Sequence, residues 1–205
     1  MRKSLGTVFA VLLLSGAVPA MAATRIVLPR AGQVGIGVQG GYGTLLKAGD
    51  AGEEFGSGAA YSVRLRYRMR YERGIGLSFE NNRFAVLEEK PFTGAFDSIA
   101  PERLDVFLTG FDFYQMFNTR SRNVSMLSLG AGLASQRVHL NDGETELSGD
   151  FSGDALYLSA GAGIERFSYG SIAIDLSTRY YAMFKDGKAA HNVQVALGLI
   201  FYAGY

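Results

Sequence analysis

The most informative feature of this sequence is an alternation of apolar and polar residues with a period of two. Between positions 61 and 71 the odd positions are all apolar or aromatic, whereas positions 64, 66, 68 and 70 are all arginine. A helix would mix these two sets because its period is about 3.6 residues, but a β-strand separates them onto opposite faces. The pattern therefore predicts a strand with one apolar face and one arginine-rich face.

Similar alternation recurs seven more times along the chain. The predicted strands cover approximately residues 33–43, 61–71, 75–84, 103–115, 124–137, 155–167, 172–184 and 192–205. Strands of about ten residues suit a tilted crossing of a bilayer, which takes roughly 9–11, whereas soluble strands average about 5–6. The fourth strand is the least regular, because Leu104, Val106 and Leu108 share the parity of Asp112. The pattern predicts an all-β chain forming an eight-stranded antiparallel up-and-down transmembrane β-barrel.

Alternation alone leaves open which face is outside. A soluble barrel of the lipocalin kind turns its apolar face inward, and a membrane barrel turns it outward. Here the polar face is largely Gly, Ser, Ala and single charges, which suits a narrow interior. The other face is rich in Leu, Ile, Val and aromatic residues, which suits contact with lipid. We therefore expect the apolar face to point outward.

The lengths of the predicted connections also alternate. Residues 45–59, 85–102 and 138–154 form long, mostly polar connections, whereas 72–74, 117–123 and 168–171 are shorter and 185–191 is intermediate. Bacterial outer-membrane barrels have long external loops and short periplasmic turns. On this basis both ends of the barrel domain are expected in the periplasm.

The first residues read as a secretory signal peptide. Arg2 and Lys3 precede an apolar stretch at positions 8–18, and Ala20-Met21-Ala22 supplies a small-x-small cleavage pattern. A membrane anchor is the alternative, but the stretch is short for a hydrocarbon core of about 30 Å. We predict a signal peptide at residues 1–22 and a barrel domain at residues 23–205.

Composition narrows the chemistry. The 205 residues include 20 Lys and Arg, 19 Asp and Glu, 27 Gly, two His and no Cys. The balance of charge gives no polybasic footprint, so no nucleic-acid partner is expected. The lack of cysteine removes disulfides and thiolate chemistry. We expect no metal and no cofactor.

Taken together, the export signal, the eight strands, the rhythm of the connections and the aromatic last residue resemble the small outer-membrane barrels of the OmpA/OmpX type. The resemblance implies residence in the bacterial outer membrane, with outer-membrane lipids as neighbours. It also implies that the barrel assembly machinery recognises the C-terminal strand. That family usually ends in Phe, and this chain ends in Tyr205.

Nine charged residues are predicted to face the lumen. They are Arg64, Arg66, Arg68, Arg70 and Arg179, with Glu80, Asp112, Glu165 and Asp175. Arginine suits buried planar pairing with carboxylates, and buried charges need partners. The lumen is therefore expected to be a salt-bridged plug, the alternative being a charged constriction with weak anion preference.

The register of the second hairpin can also be predicted from parity. A three-residue loop ending at Gly74 would place Tyr71 opposite Ile75 and keep both strands' apolar faces together. Pairing along the hairpin would then set Arg66 opposite Glu80 in the lumen.

Two other motifs are better explained by structure than by ligand binding. Residues 35–40 fit GxGxxG but lie within a predicted strand with no helix following, so their glycines are expected to make room in the lumen. Asp142, Glu144, Glu146, Asp150 and Asp154 form an acidic loop that could supply calcium ligands, although its spacing matches no EF-hand and a solvated loop is expected.

A hydrolase site drawn from His139, Ser135 and Glu144 has no spacing that requires it. We expect a non-enzymatic barrel with a surface or envelope interaction role through its external loops. The alternative is a narrow channel for small solutes. The sequence names no surface ligand.

Overall fold

Eight antiparallel strands form one closed barrel. The computed structural model describes residues 30–46, 55–87, 101–140 and 153–203. The strands are β1 (Val34–Leu45), β2 (Ser57–Arg68), β3 (Arg73–Ala85), β4 (Pro101–Phe117), β5 (Asn123–Leu140), β6 (Gly153–Tyr169), β7 (Ile172–Lys185) and β8 (Lys188–Ala203). Each strand pairs with the next, and β8 pairs with β1 to close the ring. The predicted fold class is confirmed.

The two faces of the strands are assigned as the alternation predicted. Outward side chains such as Phe111 and Leu156 are 72% and 65% exposed, whereas the large inward side chains, such as Tyr114 and Tyr181, are buried. A soluble protein rarely exposes an apolar surface of this extent, and a barrel surrounded by lipid requires one. In the ranges that the structure describes, no helix is both long and apolar enough to cross a bilayer.

The height of the apolar belt can be read on β4. Its outward positions from Phe107 to Phe117 are mostly aromatic. Ten residue steps of about 3.3 Å, on a strand tilted by about 40°, cover about 25 Å along the barrel axis. That is the height of the apolar band of a transmembrane barrel. Outside it, β4 continues with Asp105 and Arg103 toward the loop end.

Apolar side chains also fill the two ends of the lumen. The loop-side cluster is formed by buried Leu45, Phe55, Phe84, Leu104, Val106, Leu108, Ala134, Val138, Ala155, Tyr157, Tyr181 and Met183. The turn-side cluster is formed by Tyr114, Met116, Val124, Met126, Phe167, Ala173, Ile200 and Tyr202. The loop-side cluster explains the irregular parity of β4, because its three inward aliphatic residues belong to that apolar layer.

The connection between β7 and β8 is much tighter than the sequence pattern indicated. The prediction of an intermediate connection over residues 185–191 was wrong, because the strands continue to Lys185 and resume at Lys188. Asp186 and Gly187 have φ values of 48° and 80°, as a tight two-residue hairpin turn requires. The loop end therefore carries three long connections and one tight turn.

The predicted register between β2 and β3 was also wrong. Tyr67, and not Tyr71, lies opposite Ile75, while Arg66 faces Gly76 and Glu80 faces Ser62. The physical reason is that β2 ends at Arg68 and the turn is wider than predicted. Reciprocal backbone hydrogen bonds between residues 70 and 73, of 3.1 and 3.4 Å, hold that turn. The slip is an even number of residues, so both faces are preserved.

Several predictions fall on residues outside the described ranges. These are the signal peptide at residues 1–22, the acidic residues at positions 142–150 and the final residue, Tyr205. They remain predictions.

A charge placed on the apolar belt should destabilise the barrel. Leu197 lies mid-strand on β8 and is exposed. We expect Leu197→Arg to lower the free energy of unfolding by about 2–4 kcal/mol, as for arginine near a bilayer midplane. Equilibrium urea unfolding in phosphatidylcholine vesicles measures the difference.

The matched control is Tyr71→Arg, which places the same charge in the turn beyond β2. Its expected cost is about 0–1 kcal/mol, because the site lies at the interface. Equal costs for the two variants would contradict the assignment of the outer face.

Candidate functional site in the barrel lumen

A balanced set of charges occupies the middle of the lumen. The buried charged residues among those described are Arg64, Arg66, Arg68 and Arg179, with Glu80, Asp112, Glu165 and Asp175. None is more than 3% exposed. Four positive groups therefore face four negative ones, between the loop-side and turn-side apolar clusters.

Arg70, predicted in the lumen, lies elsewhere. It is exposed in the turn between β2 and β3, because β2 ends two residues earlier at Arg68. Beyond the last paired residue the strict alternation of faces no longer applies. The structure therefore places eight of the nine predicted lumen charges inside the barrel and excludes Arg70.

The first half of the network is centred on Arg179. Its two terminal nitrogens donate to the two carboxylate oxygens of Asp112 at 2.9 and 3.0 Å, a bidentate pair. One of them also lies 3.6 Å from Glu80. Glu80 in turn accepts from Arg64 at 3.1 Å and from the Tyr181 hydroxyl at 2.5 Å. Glu80, on β3, thus lies between two arginines, and Arg179 also binds Asp112 on β4.

The second half is centred on two acids that lie side by side. Glu165 and Asp175 are directly opposed on β6 and β7, an arrangement that would be repulsive without a cation between them. Arg66 bridges them, with an ion pair to each, the one to Asp175 at 2.9 Å. Arg68 adds a contact of 2.6 Å to Glu165, and the Tyr202 hydroxyl donates to the same carboxylate at 2.5 Å.

Tyr114 joins the two halves. Its hydroxyl donates to Asp112 at 2.9 Å and accepts from Arg179 at 3.1 Å. The Arg66 guanidinium carbon lies 4.7 Å from the centre of its ring, which is cation–π geometry. One aromatic side chain therefore contacts the arginines of both halves, and the charges form a single network.

These tyrosines were not among the predicted site residues. Tyr114, Tyr181 and Tyr202 supply hydroxyl donors to three of the four acids of the network. A signal was present in the sequence, because each shares the parity of the polar face of its strand. An aromatic residue on a polar parity indicates a side chain that fills the lumen and carries a polar tip.

Glycines on the inner wall make room for these large side chains. A Cβ at Gly35 would lie 2.6 Å from the Tyr202 ring, and one at Gly161 would lie 2.7 Å from the Arg179 side chain. At Gly37 a Cβ would meet Ile200 at 2.6 Å. The interpretation of residues 35–40 as lumen glycines is confirmed for Gly35 and Gly37.

Ser135 and His139, two of the three residues on which a hydrolase site would depend, are not brought together, and Glu144 lies outside the described residues. Ser135 and His139 lie four residues apart on the outward face of β5, so about 13 Å of strand separates them. His139 Nε2 instead lies 3.0 Å from Asp105 on β4. In the described ranges no group of His, Asp and Glu has the arrangement of a metal site.

Comparison with known proteins finds similarity of structure only. Neither protein-family models nor curated proteins give a match. Neisserial surface protein A is similar with a TM-score of 0.59 and 15% identity, covering 83% of this chain and 98% of that one. The N-terminal barrel domain of Pseudomonas aeruginosa OprF is similar with a TM-score of 0.52 and 15% identity over 85% and 100%. Yersinia pestis Ail, solved with a heparin analogue, gives 0.52 and 18% over 83% and 99%.

The fold thus defines a class. The chain has the eight-stranded barrel of the small outer-membrane proteins of the OmpA/OmpX type. The likeness is one of architecture at low sequence identity, so it covers the barrel and not the ligands of the compared proteins.

Removing one partner of the bidentate pair should destabilise the barrel more than removing both. Arg179→Met leaves Asp112 buried and uncompensated, so we expect a loss of about 3–5 kcal/mol in the free energy of unfolding. Adding Asp112→Asn removes the stranded charge, and we expect it to restore most of the loss. Urea unfolding of the refolded barrel in vesicles measures both.

The control is Arg83→Met, which removes an arginine that is 53% exposed and lies 4.0 Å from Asp105. Such a surface pair contributes about 0–1 kcal/mol. A double variant that is less stable than Arg179→Met would contradict the pairing.

Proposed function

We propose that this chain is a bacterial outer-membrane barrel that neither conducts solutes nor catalyses a reaction, and that acts at the cell surface through its long loops. The observation that carries the proposal is the filled lumen. Large inward side chains occupy it at every level, among them the fully buried Arg64, Arg68, Tyr114, Tyr157, Tyr181 and Tyr202. An eight-stranded interior is only just wide enough for side chains.

Residence in the outer membrane is supported by three independent features. The belt on β4 is about 25 Å high and apolar, as a lipid-facing surface requires. Residues 1–22 carry the pattern of an export signal. The architecture matches solved outer-membrane barrels at TM-scores above 0.5. We further propose that outer-membrane lipids surround the belt and that the barrel assembly machinery recognises the C-terminal strand.

A surface role is supported by the asymmetry of the two ends. Residues 46–56, 86–100 and 141–152 connect strands at one end, while the turns at the other end are short. The names of two compared proteins point to the surface, one being a surface protein and the other an attachment invasion locus protein.

The charge of the third long connection limits the class of its partner. Residues 141–152 contain four acids and no base. Such a segment repels polyanions, so we expect no counterpart here of the heparin analogue bound by Ail. A cationic partner fits the charge of this segment.

The alternative function, a narrow channel for small solutes, draws on one observation. Asn82, Asn192 and Gln194 are buried, and side-chain amide atoms of each have no hydrogen-bond partner among the described residues. Buried polar groups are normally paired with protein or water. Water molecules in the lumen beside these groups, on β3 and β8, would satisfy them and would form the start of a conducting path.

Planar-bilayer recording separates the two functions. With four positive and four negative charges locked in pairs, we expect the purified protein to insert without producing steady single-channel steps. Reproducible steps would overturn the closed-barrel proposal in favour of the channel. The variant Arg66→Gln would then be expected to reduce any anion preference, because it removes one central positive charge.

Cysteine labelling in intact cells tests the orientation of the barrel. The chain has no native cysteine, so single substitutions give unique labelling sites. A membrane-impermeant maleimide should label Ser148→Cys in intact cells. It should label Ser121→Cys, an exposed residue of the turn between β4 and β5, only after permeabilisation. The reverse pattern, or fractionation away from outer-membrane markers, would contradict the proposal.

A further inference from the structure

Five polar residues lie together on the exterior of the barrel, on one side of its loop end. Arg83, Asp105 and Arg137 form one outward-facing row across β3, β4 and β5. Arg103 and His139 are opposed in the next row toward the loops. We name these five residues the basic rim patch. Three arginines outnumber one aspartate, so the patch is positive even with a neutral histidine.

Asp105 organises the patch from its centre. It lies 3.4 Å from Arg103, 3.0 Å from His139 and 4.0 Å from Arg83. One carboxylate thus lies within ion-pair distance of three basic side chains, although Arg103 Nε and Asp105 Oδ1 make no hydrogen bond with the described residues. Arg137 is exposed and makes no ion pair with the described residues, although it is directly opposite Asp105. Positive charge therefore remains available on the outer surface.

The position of the patch relative to the apolar belt identifies what lies beside it. The row next to it toward the membrane is Asn81, Phe107 and Ser135, and Phe107 is the last aromatic residue of the β4 belt. Asp105 is two residues further, about 7 Å along the strand. Outward side chains at this height meet the headgroups of the surrounding leaflet, not its acyl chains and not bulk water.

The arginines at the loop end are concentrated on β3, β4 and β5. The neighbouring β6 adds one exposed acid, Asp154, opposite Ser135, which leaves this side of the barrel with more positive than negative charges. At the same end, outward positions of β1, β2 and β7 carry Tyr42, Tyr61 and Tyr180, the neutral aromatic residues typical of a membrane interface. The group of arginines on β3, β4 and β5 is therefore not a general feature of the loop end of the barrel. Arginine binds phosphate through parallel hydrogen bonds from its planar fork.

We propose that the basic rim patch binds the phosphate group of a lipid in the leaflet at the loop end. This inference rests on the proposed residence in the outer membrane. Arg103 and Arg137 supply the free donors, and Asp105 keeps Arg103 and His139 oriented outward around them. The apolar belt beneath the patch, ending at Phe107, receives the upper part of the acyl chain.

The test uses a fluorescent reporter beside the patch. Ala85 is exposed and directly opposite Arg103, so Ala85→Cys with an environment-sensitive label reports on the patch. The refolded protein in neutral dodecyl maltoside micelles is titrated with dioctanoyl phosphatidic acid and, separately, with dioctanoyl phosphatidylcholine. We expect a saturable response to phosphatidic acid only. The same label at Thr44→Cys, on the outward face of β1, should not respond.

Charge-removing variants then locate the site. Arg103→Gln with Arg137→Gln should weaken binding of phosphatidic acid by about 25-fold, at about fivefold for each arginine near an anionic lipid surface. The matched control removes two exposed arginines at the opposite end, Arg122→Gln with Arg166→Gln, and should leave binding unchanged. Comparison of the gel mobility of heated and unheated samples verifies that each variant is folded.

Three outcomes would overturn the inference: equal binding by the patch variant and wild type, an equal response to both lipids, or displacement by inorganic phosphate at matched concentration. The last would assign the patch to free anions. Because the titration is done in micelles, its result is independent of cellular location. If the protein bound phosphatidic acid as expected but fractionated away from the outer membrane, the proposed function would be contradicted and the inference about the basic rim patch would not be.

Discussion

Closing eight strands into a ring leaves an interior so narrow that inward side chains are withdrawn from water. A charge in such a place is tolerated only with a partner, because desolvation of an isolated ion costs more than the fold can supply. The balance of four arginines against four acids in the described lumen follows from that constraint. So does the use of hydroxyl groups to complete the acids' hydrogen bonds. Tyr181 and Tyr202 fill volume and donate a hydrogen bond at the same time.

The same narrowness governs the distribution of glycine. A large side chain can project across the lumen only where the facing wall has no Cβ, as Gly161 provides for Arg179 and Gly35 for Tyr202. Small and large inward residues therefore alternate around the ring, and the charged middle layer is sealed by apolar layers at both ends. With the interior occupied in this way, interactions with other molecules fall to the exterior, the rims and the loops.

Position along the barrel axis decides what each arginine can do. Arg66, in the middle of the lumen, is committed to two buried carboxylates. Arg70, two residues beyond the end of β2, is exposed in a turn. Arg137, just outside the apolar belt, has its charge available to neighbours of the barrel. The same side chain is structural in one layer and available for binding in another, because the surrounding dielectric and the available partners differ.

Alternation along the chain is enough to predict the number of strands, their approximate positions and the face that each residue within a strand occupies. These follow from a period of two, which is a local property of the chain. The chain also contains Asp-Gly at positions 186–187, a favoured pair for a two-residue hairpin turn, although the alternation around it predicts a longer connection.

The pairing of the lumen charges depends on the tertiary structure and does not follow from the alternation. Parity is preserved by any even slip, so it could not fix where β2 ends or which residue lies opposite Glu80. The partners of Arg66 are on β6 and β7, about a hundred residues away in the chain, at sequence separations of 99 and 109. Only closure of the ring brings those strands across the lumen from β2, which is why strand-by-strand alternation could name most of the charges but not their partners.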